Sequence, residues 1–425
     1  MKLVAVSIFV ASFVFVSVVA GQTTTGQSRA DENIRSQFER IAVIKMLDHQ
    51  RTPGARLIQL NDNKDLAAVA MYGCKTVLWD LVSDTAIGEP TRQSGDAGAI
   101  GFIPHSNLAY TADWNKMQLW DQKNALESGE GFPHELREDT VIGPAISPDG
   151  KFFVTRNSMK SLQFWNLATR MSIGPEHVHH NLVSMLQFSS DSKWCFTRSG
   201  SLSIWNPMTG KQVAGPIRNN TYTTPYLPAL QYLVTFEHDH KDPSSKSNVK
   251  IRSGTSDWST IRQFVLPGQA WNAEWIDQNR LLVVGTEEGE RFKTVAFVVH
   301  LDHETPRFDV ISNSEYRISD FAITKDRQHL ITISNTKVSC WRIGDAEPKW
   351  ENIWTGRFWR KKVHCTDSDW VIAHATGEDA IAYSIEDGTE LWRKEEVIYA
   401  QTDDSYLLVT DKKGAEVWRW RTGTQ

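Results

Sequence analysis

The 425-residue chain is short of most features that announce a chemistry. It holds four cysteines, Cys74, Cys195, Cys340 and Cys365, with no CxxC spacing, which excludes a zinc ribbon and a disulfide-built scaffold. We read them as small buried hydrophobes. Cys340 with Cys365 is the pair that would join neighbouring repeats if export permits a bridge. Positive charge is not in excess: 46 Lys and Arg stand against 51 Asp and Glu, a formal net charge of -5. That balance argues against phosphate neutralisation as the chain's main task, so nucleic acid is not an expected partner. No Walker loop, dinucleotide glycine pattern, nucleophile elbow, HExxH or locally spaced Ser-His-Asp set occurs. No catalytic residue and no cofactor is assigned on this basis.

Beyond residue 20 no apolar run is long enough to cross a bilayer. The first 20 residues are different: Lys2 precedes an unbroken apolar stretch from Leu3 to Ala20, with small side chains at Val18 and Ala20 before Gly21. This pattern predicts a secretory signal over 1–20, cut after Ala20, then a polar linker over 21–37. An uncleaved anchor is the alternative, and only then is a membrane contact expected. Either way the remainder is exported, to the periplasm, the exterior or a tethered position. With 40% hydrophobic and 23% charged residues, that remainder is globular and buries a large core.

Repetition is what the sequence has in abundance. The stretch "SLSIWNPMTGKQVAGP" (201–216) has close copies in "SLQFWNLATRMSIGP" (161–175) and "KTVLWDLVSDTAIGEP" (75–90). Each shows a short run ending in an aromatic, a turn of Asn, Asp, Pro, Thr or Gly, and a second short run. The run-ending residues Trp79, Trp120, Trp165 and Trp205 lie 41, 45 and 40 positions apart. Weaker copies follow around Arg252, Val298, Trp341, Tyr383 and Trp418. Upstream lie polar-tipped hairpins such as "AISPDGKFFVT" (145–155), "LQFSSDSKWCFT" (186–197) and "AITKDRQHLIT" (322–332). Their Asp and Gly supply the local hydrogen bonds and positive φ of tight turns.

Four short antiparallel strands in about 40 residues is the spacing of a propeller blade. Nine units are counted, one above the usual upper figure of about eight. The expected fold is therefore an all-β propeller of four-stranded blades over 38–425, with eight or nine blades, or seven if weak units are false readings. Too few residues follow Trp418 to complete the last unit, and "IAVIKML" (41–47) is expected to supply its outer strand and close the ring.

On Trp79-Asp80, Trp120-Asp121, Trp165-Asn166 and Trp205-Asn206, with the "SPDGK" turn at 147–151, the chain resembles the WD40-repeat family. Its tails "TAIGEP" and "MSIGP" are similar to those of bacterial, exported members, and "DGTELWRKE" (387–395) resembles quinoprotein-type propeller repeats. The resemblance implies blade-anchoring roles for Trp79, Asp80, Trp120, Asp121, Trp165, Trp205, Trp341 and Trp418. No unit carries a Gly-His pair, so the His-Asp-Trp network of that family is not expected here.

Two dense ligand clusters occur, "EHVHHN" and "EHDHKD". Alternate strand residues share a face, so His177 with His179, or His238 with His240, are weak candidates for one metal ion. No third ligand is fixed by spacing, and no metal is assigned. The run "RFWRKK" interleaves Arg357, Trp359, Arg360 and Lys361 in a pattern that suits a binding surface, set against the plainer reading of a solvated strand face. Trp114, Trp258, Trp271, Trp275, Trp354 and Trp359 fall outside the anchor positions and are surface candidates if exposed. "NNT" at 219–221 fits a glycan acceptor.

Two functions from different classes follow. The first is a non-catalytic protein-interaction platform exported to the cell envelope, monomeric and binding an unidentified protein partner. The second is an exported propeller enzyme, a hydrolase or quinone-dependent dehydrogenase, with a site at the central channel.

Overall fold

The structure, a computed structural model, describes residues 38–44, 54–72, 75–92, 98–113, 115–133, 143–158, 160–220, 225–239, 242, 244–287, 294–314, 318–354, 361–366 and 369–421. The expected signal and linker (1–37), Cys74, Trp114, His240, Arg357, Trp359 and Arg360 lie outside the described residues.

Among the described residues 36 strands form nine four-stranded antiparallel sheets, and the chain is a nine-bladed β-propeller. Blade 1 runs from Ala55–Leu60 to Thr85–Arg92, and blade 8 from Lys361–Cys365 to Glu390–Val397. The first strand of each blade is innermost: Ala55–Leu60 touches Ala99–Phe102 of blade 2, and Asp320–Ile323 of blade 7 touches Lys361–Cys365. Fourth strands such as Ser172–Val178 and Lys211–Ile217 are largely exposed. Middle strands are buried on both faces, so they read as continuous apolar runs and not as alternations. "LLVVG" in Arg280–Glu287 and Trp370–Ala375 are such runs.

Nine apolar clusters hold the ring, each shared by two neighbouring blades. One of them joins Leu408 and Val417 of blade 9 to Ile58 and Val69 of blade 1, so the ring is closed. Strand pairing closes the ring as well. Phe38–Ile44 pairs with Gly414–Trp420 as the fourth strand of blade 9, from Phe38 opposite Trp420 to Ile44 opposite Ala415. This is the N-terminal closing strand expected from sequence at 41–47; it begins at Phe38, and residues 45–47 lie outside the described residues. Phe38 packs against Trp370 and Trp420 with ring centroids 4.9 and 4.8 Å apart. Glu39 accepts from Arg421 and Arg419, which hold its carboxyl down at about 2.

The anchor residues pack toward the preceding blade. Trp120 joins the cluster between blades 1 and 2, Trp205 that between 3 and 4, and Trp341 that between 6 and 7. Their indoles are tied to the second strand of their own blade. The Nε1–H of Trp120, Trp165 and Trp205 donates to Thr111, Thr155 and Thr197 at 2.8 Å, and that of Trp341 to Thr332 at 3.3 Å. Where valine takes the threonine position the indole turns elsewhere: Trp79 to Asp84 Oδ1 at 3.0 Å, Trp418 to Glu416 Oε2 at 3.0 Å. In blade 5 the guanidinium of Arg252 takes the indole's place, donating to Thr235 Oγ1 at 3.3 Å, and Trp258 from the following turn fills the cluster.

One register differs from the sequence reading. Val298 faces blade 7, and Val299, opposite Leu281, holds the anchor position of blade 6. A slip of one residue changes the face, and "AFVV" is buried on both sides, so alternation carries no register there.

Candidate interaction surface

In an antiparallel blade the turn after the first strand and the turn after the third fall at the same end. The two turn sets therefore populate one face of the ring. Phe38 opposes Trp420, at the end of a third strand, so the N-terminal strand also starts on this face.

The turns after the third strands of blades 1–4 are built by the residue that follows the anchor. Asp80 Oδ1 accepts from the Val82 and Ser83 N–H at 2.8 and 3.0 Å, and these bonds, the Ser83 one foremost, hold its carboxyl below the usual range. Asp121 accepts from Lys123 N–H, Asn166 from Thr169 N–H and Asn206 from Met208 N–H. With the backbone satisfied locally, the next side chains are free to point outward. One exposed side chain on each turn is apolar: Val82, Leu126, Met171 and Met208 are 85%, 64%, 68% and 71% exposed.

The turns of blades 2, 3 and 4 each rest on the blade before. Gly88 (φ 67°) leaves room for the blade 2 turn, and a Cβ there would meet the Asn124 carbonyl at 2.6 Å. Gly174 (φ 68°) does the same for the blade 4 turn, at 3.3 Å from the Thr209 carbonyl. Between them the Arg170 guanidinium donates to the carbonyl and hydroxyl of Ser128. The recurrent "IG" thus seats one turn on the next, and blades 1–4 carry a continuous edge with four exposed apolar tips.

The later blades treat the same position otherwise. Blade 5 tucks Trp258 inward against Trp194, with ring centroids 5.2 Å apart. Blade 6 exposes Asp302, His303 and Glu304, and blade 8 exposes Glu386 and Asp387. In blade 7 the two turns border an open cavity of about 870 Å³ lined by Gln328, His329, Arg342, Asp345, Glu347 and Lys349, among others.

The residues singled out from sequence are placed elsewhere. His177 and His179 do share a strand face, but that face is an indole: their rings lie 4.5 and 5.8 Å from Trp205. Burial lowers the pKa of both. His238 is buried, its Nδ1 2.9 Å from Ser247 Oγ. Among the described residues no three His, Cys, Asp or Glu are grouped to hold a metal ion. Lys361, expected on a binding surface, is instead buried at the start of an inner strand, donating to Asn335 Oδ1 at 3.0 Å. Desolvation lowers its pKa. Trp258, Trp275 and Trp354 are buried and form no surface. Asn219 is buried too, accepting from the Phe236 N–H, which closes it to a glycan in the folded chain.

Cys340 and Cys365 meet across blades 7 and 8 as expected, but as free thiols and not as a bridge. Burial pushes Cys340 up to about 12 and Cys365 higher still. On the inner strands the polar groups engage one another: Gln59 donates to Gln401 at 3.3 Å, and Lys362 to Asp320 at 3.4 Å. Burial raises the Asp320 pKa against the opposing charge of Lys362.

No charged or aromatic cluster marks the exposed tips in the sequence. Their signal was an apolar residue inside an otherwise polar turn, as in "WDLV" and "WNPM".

No family model matches the chain, and no curated protein matches it. Solved structures do. The computationally designed Ika8 protein aligns over 90% of this chain and 99% of its own at 12% identity and a TM-score of 0.51. A eukaryotic initiation factor structure aligns over 85% and 89% at 14% identity and a TM-score of 0.59. At such identities the likeness is one of fold.

Proposed function

We propose that this protein is a non-catalytic interaction platform, a WD40-like propeller exported to the cell envelope, whose docking edge is the turn face of blades 1–4. One observation carries the reading: Val82, Leu126, Met171 and Met208 stand exposed on equivalent turns of four successive blades. Covering one such side chain with a partner is worth about 1.5–3 kcal/mol, so four on a rigid edge suffice for a specific interface. The closed ring fixes their spacing, which spares a partner the cost of ordering a mobile surface.

The test replaces all four with serine, in a chain whose melting temperature and near-ultraviolet circular dichroism stay those of the parent. Capture of a partner from an envelope fraction is expected to be lost. Equal capture by both chains overturns the reading, as does a chain that captures nothing and turns over a quinone or glycoside substrate.

A further inference from the structure

We infer that the cavity in the turns of blade 7 binds a carboxylate group, held by Arg342 and Lys349 with the His329 imidazole as third contact. His329 and Arg342 are cross-strand partners, so their side chains leave the sheet side by side. Lys349 comes from the far limb of the turn after Arg342 and lines the same cavity. Arg342 pairs with no described carboxylate. The Nδ1 of His329 is buried and has no hydrogen-bond partner, an arrangement that costs free energy. Burial keeps this imidazole neutral, helped by Lys349 and Arg342 and opposed by Asp326 and Glu386. In the Nδ1–H tautomer it donates to an anion without a charge of its own.

The molecule already displays half of the contact. The Glu386 carboxylate sits 2.8 Å from Lys349 Nζ, and that bond lowers its pKa. Glu386 is 84% exposed at its side chain, so a ligand carboxylate can take its place by exchange. Asp345 and Glu347 share the cavity wall with the two cations and repel a polyanion. A singly charged carboxylate is therefore favoured over a polyanion such as phosphate. The volume admits either a free carboxylate compound or an acidic side chain carried on a peptide.

This inference does not rest on the platform reading, and calorimetry on the full chain tests it. The probes are N-acetylglutamate, an acetylated and amidated Gly-Glu-Gly tripeptide, and inorganic phosphate. Saturable binding of at least one carboxylate probe is expected, with phosphate at least tenfold weaker. Arg342→Gln and Lys349→Gln each weaken it tenfold or more at unchanged melting temperature. Glu386→Gln strengthens it a few-fold by removing the internal competitor. The four-serine variant of blades 1–4 binds as the parent does. A tripeptide that binds at least tenfold tighter than N-acetylglutamate assigns the site to peptides, and comparable affinities assign it to the free group. No heat with either carboxylate, equal binding of phosphate, or indifference to Arg342→Gln overturns the inference.

Discussion

Blades 2–4 and blades 6, 8 and 9 build the same four-stranded unit by different means. In the first set an indole is pinned to a threonine of the adjacent strand, as Trp205 is to Thr197. In the second no indole is pinned to a threonine: Val299 stands in the anchor position of blade 6, Tyr383 in that of blade 8, and the indole of Trp418 in blade 9 turns to Glu416. Both sets close one ring. The blade is thus specified by burial on both faces of its middle strands, and the tryptophan with its polar latch is one way of filling a position that valine also fills. The surface differs by region as well: an exposed apolar side chain stands on the turn after the anchor in blades 1–4, and exposed charged ones stand there in blades 6–8.

The sharpest way to break this comparison is to empty the anchor positions. Trp205→Ala removes the largest side chain shared by blades 3 and 4 and is expected to cost about 3–5 kcal/mol in urea unfolding. Val299→Ala in blade 6 is expected to cost about 2 kcal/mol, from the two carbons it removes. Equal losses would show that the anchors are not interchangeable fillings of one site.

Acid separates the regions next. His364 and His374 stack on two strands of blade 8, ring centroids 5.7 Å apart; burial, with Lys362 near His364 and with His364 and then Lys362 near His374, holds them at about 4 and about 3. Their pKa values in the fold lie below the ordinary 6.5, so the unfolded chain takes up protons first. The stability they contribute is complete above pH 6.5 and is lost as pH falls from there through about 4 and 3. In the steep part of that window the loss is about 1.4 kcal/mol per pH unit for each ring. His374→Leu should flatten the melting temperature between pH 6.5 and 4, and His177→Leu in blade 3, half-buried, should flatten it less.

A smaller effect sharpens the role of the latch itself. Thr197→Val leaves the buried Trp205 Nε1–H without an acceptor and should cost about 1–3 kcal/mol. The Thr410 hydroxyl in blade 9 is buried without a partner, so Thr410→Val is expected to be neutral or stabilising. The same substitution thus changes sign between two blades of one ring, as read by denaturant midpoints.

The contrast also explains what was legible in the sequence. Trp79, Trp120, Trp165 and Trp205 announced the period, because a large aromatic before an Asx turn is a rare pattern that a blade repeats. Blade 6 was legible only as a unit, since a strand buried on both faces carries no alternation to fix Val298 against Val299. The closing strand was foreseen from the incomplete last unit, but its limits, Phe38–Ile44, are set by pairing with Gly414–Trp420, which no local pattern encodes. Lys361 looked exposed because charge was counted along the chain, whereas its burial follows from Asn335 in the neighbouring blade. The blade 7 cavity was invisible for the same reason: His329 and Arg342 come together through strand pairing and not through spacing.

The docking edge of blades 1–4 is tested most directly by position-specific photocrosslinking. A photoreactive phenylalanine analogue is placed at Met208, on the blade 4 tip, and at Thr389, in the equivalent turn of blade 8. Irradiation in an envelope preparation is expected to give one discrete adduct from position 208 and none from position 389. An adduct from 389 alone, or none from 208, would contradict the assignment of that face.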